Sequence, residues 1–316
     1  MIKTPDFFNI TIRNGVLYGY VIDVINRASE LVILAVGMTL VTAASGGQDI
    51  SVGAVMAVAA AVCCQILSGG ASSVTAYQNS LVLAVIAALL ASALCGAFNG
   101  LLVAKLNIQP MVATLILYTA GRGIAQLVTN GQITYIRVES FQMAGGYIGK
   151  SPVPTPVLFA IVTVVIAIIV VLIIAVLLKY FKFGRKLYAI GGNRQSALMM
   201  GLDVKKTMFR AYVLDGFLAG LGGFLFCLNS CAGFVEQAKG LEMDAISSAG
   251  IGGTLLSGGV GTPIGSMFGV LIKGTISSLI TAQGTLSSWW VRIVLSALLC
   301  FFIVIQSVLA SAKKKK

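Results

Sequence analysis

Apolar residues in this chain fall in long, nearly unbroken runs, not in the alternation that marks half-buried strands or surface helices. A helix needs about 20 apolar residues to cross the hydrocarbon core of a bilayer. Six runs qualify: 81–104, 111–129, 157–178, 211–231, 261–282 and 291–311. Two shorter runs, 31–46 and 52–68, are rich in Gly, Ala and Val and are separated by Gly46-Gly47-Gln48-Asp49-Ile50-Ser51. A ninth stretch, 244–260, is Gly-rich and begins near Asp244. The pattern predicts an all-α, polytopic membrane protein whose transmembrane domain fills 31–311. It has about nine membrane segments, with broken or half-length Gly-rich elements among them.

One polar stretch interrupts this chain. Residues 179–210 read KYFKFGRKLYAIGGNRQSALMMGLDVKKTMFR and hold eight of the 22 basic residues against a single acid, Asp203. Basic loops flanking apolar spans mark the cytoplasmic side, and the tail Lys313 to Lys316 carries the same signal. An even number of crossings must then separate loop from tail, so the 244–260 stretch is expected to cross as well, completed by its neighbours. Counting back through five spans places 1–30 outside or along the outer interface, where Val16, Leu17, Tyr20, Val21, Val24 and Ile25 approximate one helical face. By the same count 130–156 is external and ends in a stiff Pro152/Pro154/Pro156 segment. Trp289 and Trp290 are expected at the outer interface, and 312–316 form a cytoplasmic basic tail.

Composition narrows the function. The chain is 58% hydrophobic and 10% charged, with mean hydropathy +0.97, where soluble domains carry about 25% charged residues. The net charge of +12 sits largely in the central loop and tail, so no basic soluble domain exists to bind nucleic acid. Histidine is absent, which removes Ser-His-Asp and Cys-His catalysis and common metal sets. The six cysteines lie in or beside apolar segments and read as small packing residues. The first thirty residues carry too many charges for a signal core.

Four segments carry candidate chemistry. In 42–57 the paired glycines break a helix and leave Gln48, Asp49 and Ser51 between apolar pieces. A charge there is costly in lipid, so Asp49 either lines a transport path or caps the next helix in a solvated turn. In 98–132, Asn99, Arg122 and Gln126 could line a path and hydrogen-bond a polyhydroxylated solute, or serve interhelical packing. In 245–269 there is no terminal Gly-Lys-Ser/Thr, so the chain has no phosphate loop of its own and any ATP is hydrolysed elsewhere. Gly265-x-x-x-Gly269, Gly96-x-x-x-Gly100 and Gly216-x-x-x-Gly220 suit close helix contact. In the basic loop, Ala189–Asn193 predicts a turn, Asn193 a cap for a short helix with Ser196, Ala197, Leu198 and Met199, and Gly201 its stop. Such an exposed helix suits docking into a groove on a partner.

These segments, in this order, resemble the permease subunits of bacterial ABC importers for monosaccharides, of the ribose and galactofuranose type. The matching blocks are GMTLVTAASGGQDISVGAVMA (37–57), NIQPMVATLILYTAGRGIAQLVTNGQ (107–132), AIGGNRQSALMMGLDV (189–204) and DAISSAGIGGTLLSGGVGTPIGSMFG (244–269). PDFF at 5–8, DVINRA at 23–28 and IQPMVATLIL at 108–117 look closest to the galactofuranose permeases. The resemblance implies an inner-membrane permease that pairs with a second copy or a homologue. It further implies cytoplasmic subunits that bind ATP and Mg, a periplasmic sugar-binding protein, and no cofactor in this chain. It places Gly192, Asn193, Ala197 and Gly201 in the loop that meets the ATPase. Family members have a helix before the segment matching PDFF, so the chain is expected to lack one N-terminal helix. Ser45 and Gln48 replace the usual Thr and Ile of the first block. Two other functions remain open on the residues alone. One is the same machine carrying nucleosides or another small polar solute. The other is an ion-coupled secondary transporter using Asp49, Asp215 or Asp244.

Overall fold

A computed structural model describes residues 8–9, 11–13, 16–144, 155–283 and 288–314. Most of PDFF, the Pro152 and Pro154 segment, and Lys315 and Lys316 lie outside the described residues. Twelve α-helices are described, with three short strands in one sheet and a two-stranded ribbon at the start.

Six helices are long and apolar enough to cross a membrane, and two shorter apolar helices, Val52–Ser68 and Trp290–Ile305, accompany them. The long ones begin with α1 (Tyr20–Ser45), α3 (Leu81–Gly100, continued by a π-helical turn Leu101–Lys105) and α4 (Pro110–Val128). They continue with α6 (Thr155–Tyr180), α9 (Val204–Ser230) and α11 (Pro263–Gln283). Helix α2 (Val52–Ser68) is enclosed by α3, α4 and α9. Fourteen of its 17 residues are buried, which its small Ala and Gly side chains permit. Helix α12 (Ser288–Lys314) closes the bundle against α10 (Leu241–Ile251) and α11.

The small-xxx-small pairs act as their spacing predicts. Gly96 of α3 and Gly216 of α9 meet backbone to backbone, Gly100 packs on Phe209, and Gly269 of α11 lies on the Ser248 carbonyl of α10.

The chain start departs from the expected interfacial helix over 10–30. Thr11–Arg13 (β1) pairs antiparallel with Val16–Tyr18 (β2), with Arg13 opposite Val16. The helix then runs from Tyr20 without a break into the apolar run. Its charged first turns are accommodated because Glu30 turns inward and accepts from Asn229 Nδ2 at 3.3 Å.

The 244–260 stretch is broken, as its glycines predict. Helix α10 has 11 residues, about 16 Å or half a hydrocarbon core. Residues 252–262 continue from it as Gly-rich coil that ends beside the last turn of α1. Inside this unit Lys273 of α11, buried in an apolar helix, forms an ion pair with Asp244 of α10.

The bundle is tied at both ends. At one end Ser73–Val74 (β3), Thr134–Ile136 (β4) and Ala232–Gly233 (β5) form one sheet, joining the loops after α2, α4 and α9. At the other end lie the basic loop, the last turn of α1 and the 252–262 coil.

Candidate functional site

The turn between α1 and α2 is buried and polar. Gly46 ends α1 in the left-handed region (φ 64°), and Asp49 follows at 3% exposure. Its Oδ1 accepts from the Ser51 amide (2.7 Å) and the Ser51 hydroxyl (2.6 Å). Its Oδ2 accepts from Asn99 Nδ2 (3.1 Å), which also donates to Ser51 Oγ (2.9 Å). Asp215 of α9, 1% exposed, interacts with Asp49. This arrangement corrects the reading of a solvated turn: Asp49 is enclosed by its own chain. Asn99, at 0% exposure, likewise points into the interior of the chain and not onto a surface. The physical reason is donor supply: a buried carboxyl needs N–H and O–H partners, and Ser51 and Asn99 offer them here.

The other expected path residues separate. Arg122 is half-buried on α4, and its Nη1 donates to the carbonyls of Val235 and Gln237 in the segment between α9 and α10. Tyr118, one turn earlier, lies under its guanidinium at 5.9 Å. Arg122 therefore acts as a clamp on irregular backbone, whose carbonyls have no helical partner. Gln126, four residues on, is exposed. Gln48 is half-buried, and its carbonyl accepts from Thr114 Oγ1 at 3.4 Å.

Arg122→Ala is expected to release this segment, since the carbonyls of Val235 and Gln237 both lose their donor, Nη1. Limited trypsin digestion checks it. Lys239, exposed and ion-paired to Glu236 at 2.6 Å, should be cut several-fold faster in the variant. Unchanged cleavage there would remove the clamp assignment.

The basic loop is ordered as two helices, α7 (Lys182–Gly192) and α8 (Arg194–Met199). The turn expected over Ala189–Asn193 is instead the end of α7, and Asn193 alone separates the two helices. The cap forms as its sequence predicts: Asn193 Oδ1 accepts from the Ser196 amide at 3.0 Å, and Gly201 takes φ 73° after the helix. Ala197 corrects the expected docking face. It is fully buried against Val41, Ile190, Met208 and Tyr212, so it anchors α8. The exposed face is Leu198, Met199 and Met200, at 50%, 79% and 66%.

The sequence reading missed Gly191. A β-carbon there would fall on the Ala43 carbonyl of α1 and the Gly259 amide, two groups that hydrogen-bond at 3.0 Å. Tyr188, one turn earlier, donates to the Gly261 carbonyl at 2.6 Å, and burial pushes its phenol up, keeping it a donor. Thus α7, the end of α1 and the 252–262 coil touch backbone to backbone. The Gly191-Gly192 pair is a signal in the sequence, but only the structure shows which glycine is in contact.

Six helices long and apolar enough to cross a membrane, with a half-length element among them and an ordered basic loop, define a multi-pass membrane protein. The chain belongs to the family described as branched-chain amino acid transport system / permease component, which matches residues 20–303. It is similar to the inner membrane ABC transporter permease protein YjfF of Escherichia coli K12, with 37% identity over 292 residues, 90% of this chain and 82% of that one. It is also similar to the galactofuranose transporter permease protein YtfT of the same strain, at 36% over 281 residues, 89% and 77% of the two chains. The ribose import permease protein RbsC of Escherichia coli K12 is 33% identical over 308 residues, 96% and 88% of the two chains. No solved structure matches the chain.

Proposed function

We propose that this chain is the membrane-spanning subunit of an ATP-binding cassette importer for a monosaccharide. A second permease copy or homologue, cytoplasmic subunits holding ATP and Mg, and an external sugar-binding protein complete the machine. The names of the similar permeases support a sugar, and galactofuranose, ribose and other monosaccharides form the panel to try. The basic loop faces the cytoplasm in this reading, because it holds eight basic residues and one acid.

The observation that carries the coupling role is the knob of α8. Leu198, Met199 and Met200 project from a polar loop while the helix beneath them is capped by Asn193 and anchored by Ala197. A rigid apolar knob on a charged loop suits a groove in a partner subunit. Its base is joined through Gly191 and Tyr188 to the end of α1 and the 252–262 coil, so force on the knob reaches the membrane helices.

Met199→Glu tests this in the chain expressed with its ATPase and binding protein. Loss of a central apolar anchor costs about 2 kcal/mol, or roughly 30-fold in affinity. Co-purification of the ATPase and uptake of labelled sugar should both fall, with the permease still in the membrane. Normal uptake by the Met199→Glu variant would overturn the docking role.

A further inference from the structure

Helix α6 carries a stripe of exposed apolar side chains: Val165, Ile168, Ile169, Leu172, Ile173 and Val176, each between 44% and 57% exposed. In a membrane protein this stripe faces acyl chains. It runs directly into Tyr180 and Phe181, at 67% and 59% exposure, where α6 ends. The chain then bends sharply. Phe181 is extended (φ −87°, ψ 152°), and Gly184 of α7 packs on the backbone of Leu178 in α6. The bend sets Lys179 next to the first turns of α7.

On α7, Leu187 and Ile190 are buried, while Lys182, Arg185 and Lys186 are exposed at the i, i+3, i+4 spacing of a single face. Four cations therefore lie within residues 179–186, and no acid occurs before Asp203. Among the described residues no carboxylate forms an ion pair with any of the four. Lys179 lies over the Tyr180 ring at 5.3 Å, so the cation and the ring share one site at the end of the lipid-facing stripe.

We propose that the bend between α6 and α7 binds the headgroups of anionic phospholipids, with Lys179, Lys182, Arg185 and Lys186 meeting the phosphates and Tyr180 and Phe181 seated at the headgroup level. The charge is complementary, and the lipid-facing stripe delivers the ligand to the cations. The surface is distinct from the apolar knob of α8. This inference rests on the membrane-spanning architecture and not on the importer reading.

Each basic residue at an anionic membrane surface contributes roughly fivefold in affinity. The purified full-length protein is titrated in detergent with phosphatidylglycerol and with phosphatidylcholine, and bound lipids are counted by native mass spectrometry. The parent should prefer phosphatidylglycerol. The variant Lys179→Gln/Lys182→Gln/Arg185→Gln/Lys186→Gln should lose that preference by about tenfold or more. The control Lys205→Gln/Lys206→Gln/Arg210→Gln, which removes charge elsewhere on the loop, should keep it. If the fourfold variant fails to fold, Lys182→Gln and Arg185→Gln, both on the exposed face, are read singly, and each should weaken the preference. Retention of phosphatidylglycerol binding by the fourfold variant or by both single variants, or equal loss in the control, would overturn the proposal.

Discussion

Replacing Gly191 with alanine is expected to abolish sugar uptake, while Gly192→Ala leaves it nearly unchanged. The two glycines are adjacent, yet a β-carbon at Gly191 meets the Ala43 carbonyl and the Gly259 amide, whereas at Gly192 it meets nothing within 4 Å. Overpacking a close-packed site costs about 1–3 kcal/mol. Backbone cannot swing aside as a side chain can, so the upper end applies. The contact broken is the one between α7, the end of α1 and the 252–262 coil, through which the proposed coupling would run. Uptake and thermal unfolding of the two purified variants check this. Equal behaviour of the two would show that the contact is unimportant.

Asn99→Ala is expected to remove the folded protein from the membrane and not to lower uptake selectively. Asn99 Nδ2 is shared by Asp49 Oδ2 and Ser51 Oγ, and all three residues are buried. Alanine would leave a buried carboxylate oxygen without its donor, at a cost of about 3 kcal/mol. Domains are stable by only about 5–15 kcal/mol. Membrane abundance by immunoblot and melting of the detergent-purified variant read the outcome. Gln126→Ala, at an exposed site of α4, serves as the comparison and should accumulate normally. A fully abundant Asn99→Ala protein with impaired uptake would restore Asn99 to the solute path.

Much of this architecture was legible because lipid imposes one rule on every span: about 20 apolar residues with backbone satisfied internally. The run 52–68 matches α2 residue for residue, and 81–104 falls one residue short of the continuous helix to Lys105. The runs failed where a helix continues past its apolar stretch, with some faces buried and others exposed. Helix α9 begins at Val204, seven residues before the apolar run at 211, because Val204, Thr207 and Met208 are buried while Lys205 and Lys206 are exposed. Helix α1 likewise extends back before residue 31, with Arg27 exposed and Glu30 buried beside Asn229. The polar residues Asp49, Asn99 and Arg122 were visible as costly groups in an apolar chain. Their partners were not, since Asp49 finds Asn99 50 positions away and Arg122 finds Gln237 115 positions away. Only the packing of helices distant in sequence decides whether such a group meets a solute or its own chain.

Helix α2 has a consequence for how such a chain diverges. Its three half-buried residues, Val62, Gln65 and Ile66, lie toward one end, and every other position is closed in by neighbouring helices. A helix without a free side cannot offer a solute any surface. Changes in what is carried must therefore accumulate on other elements, while α2 drifts only among side chains of its present size. Its alanines and glycines set the spacing that allows its neighbours to approach one another. A helix of small side chains closed in by its neighbours thus has little freedom to vary.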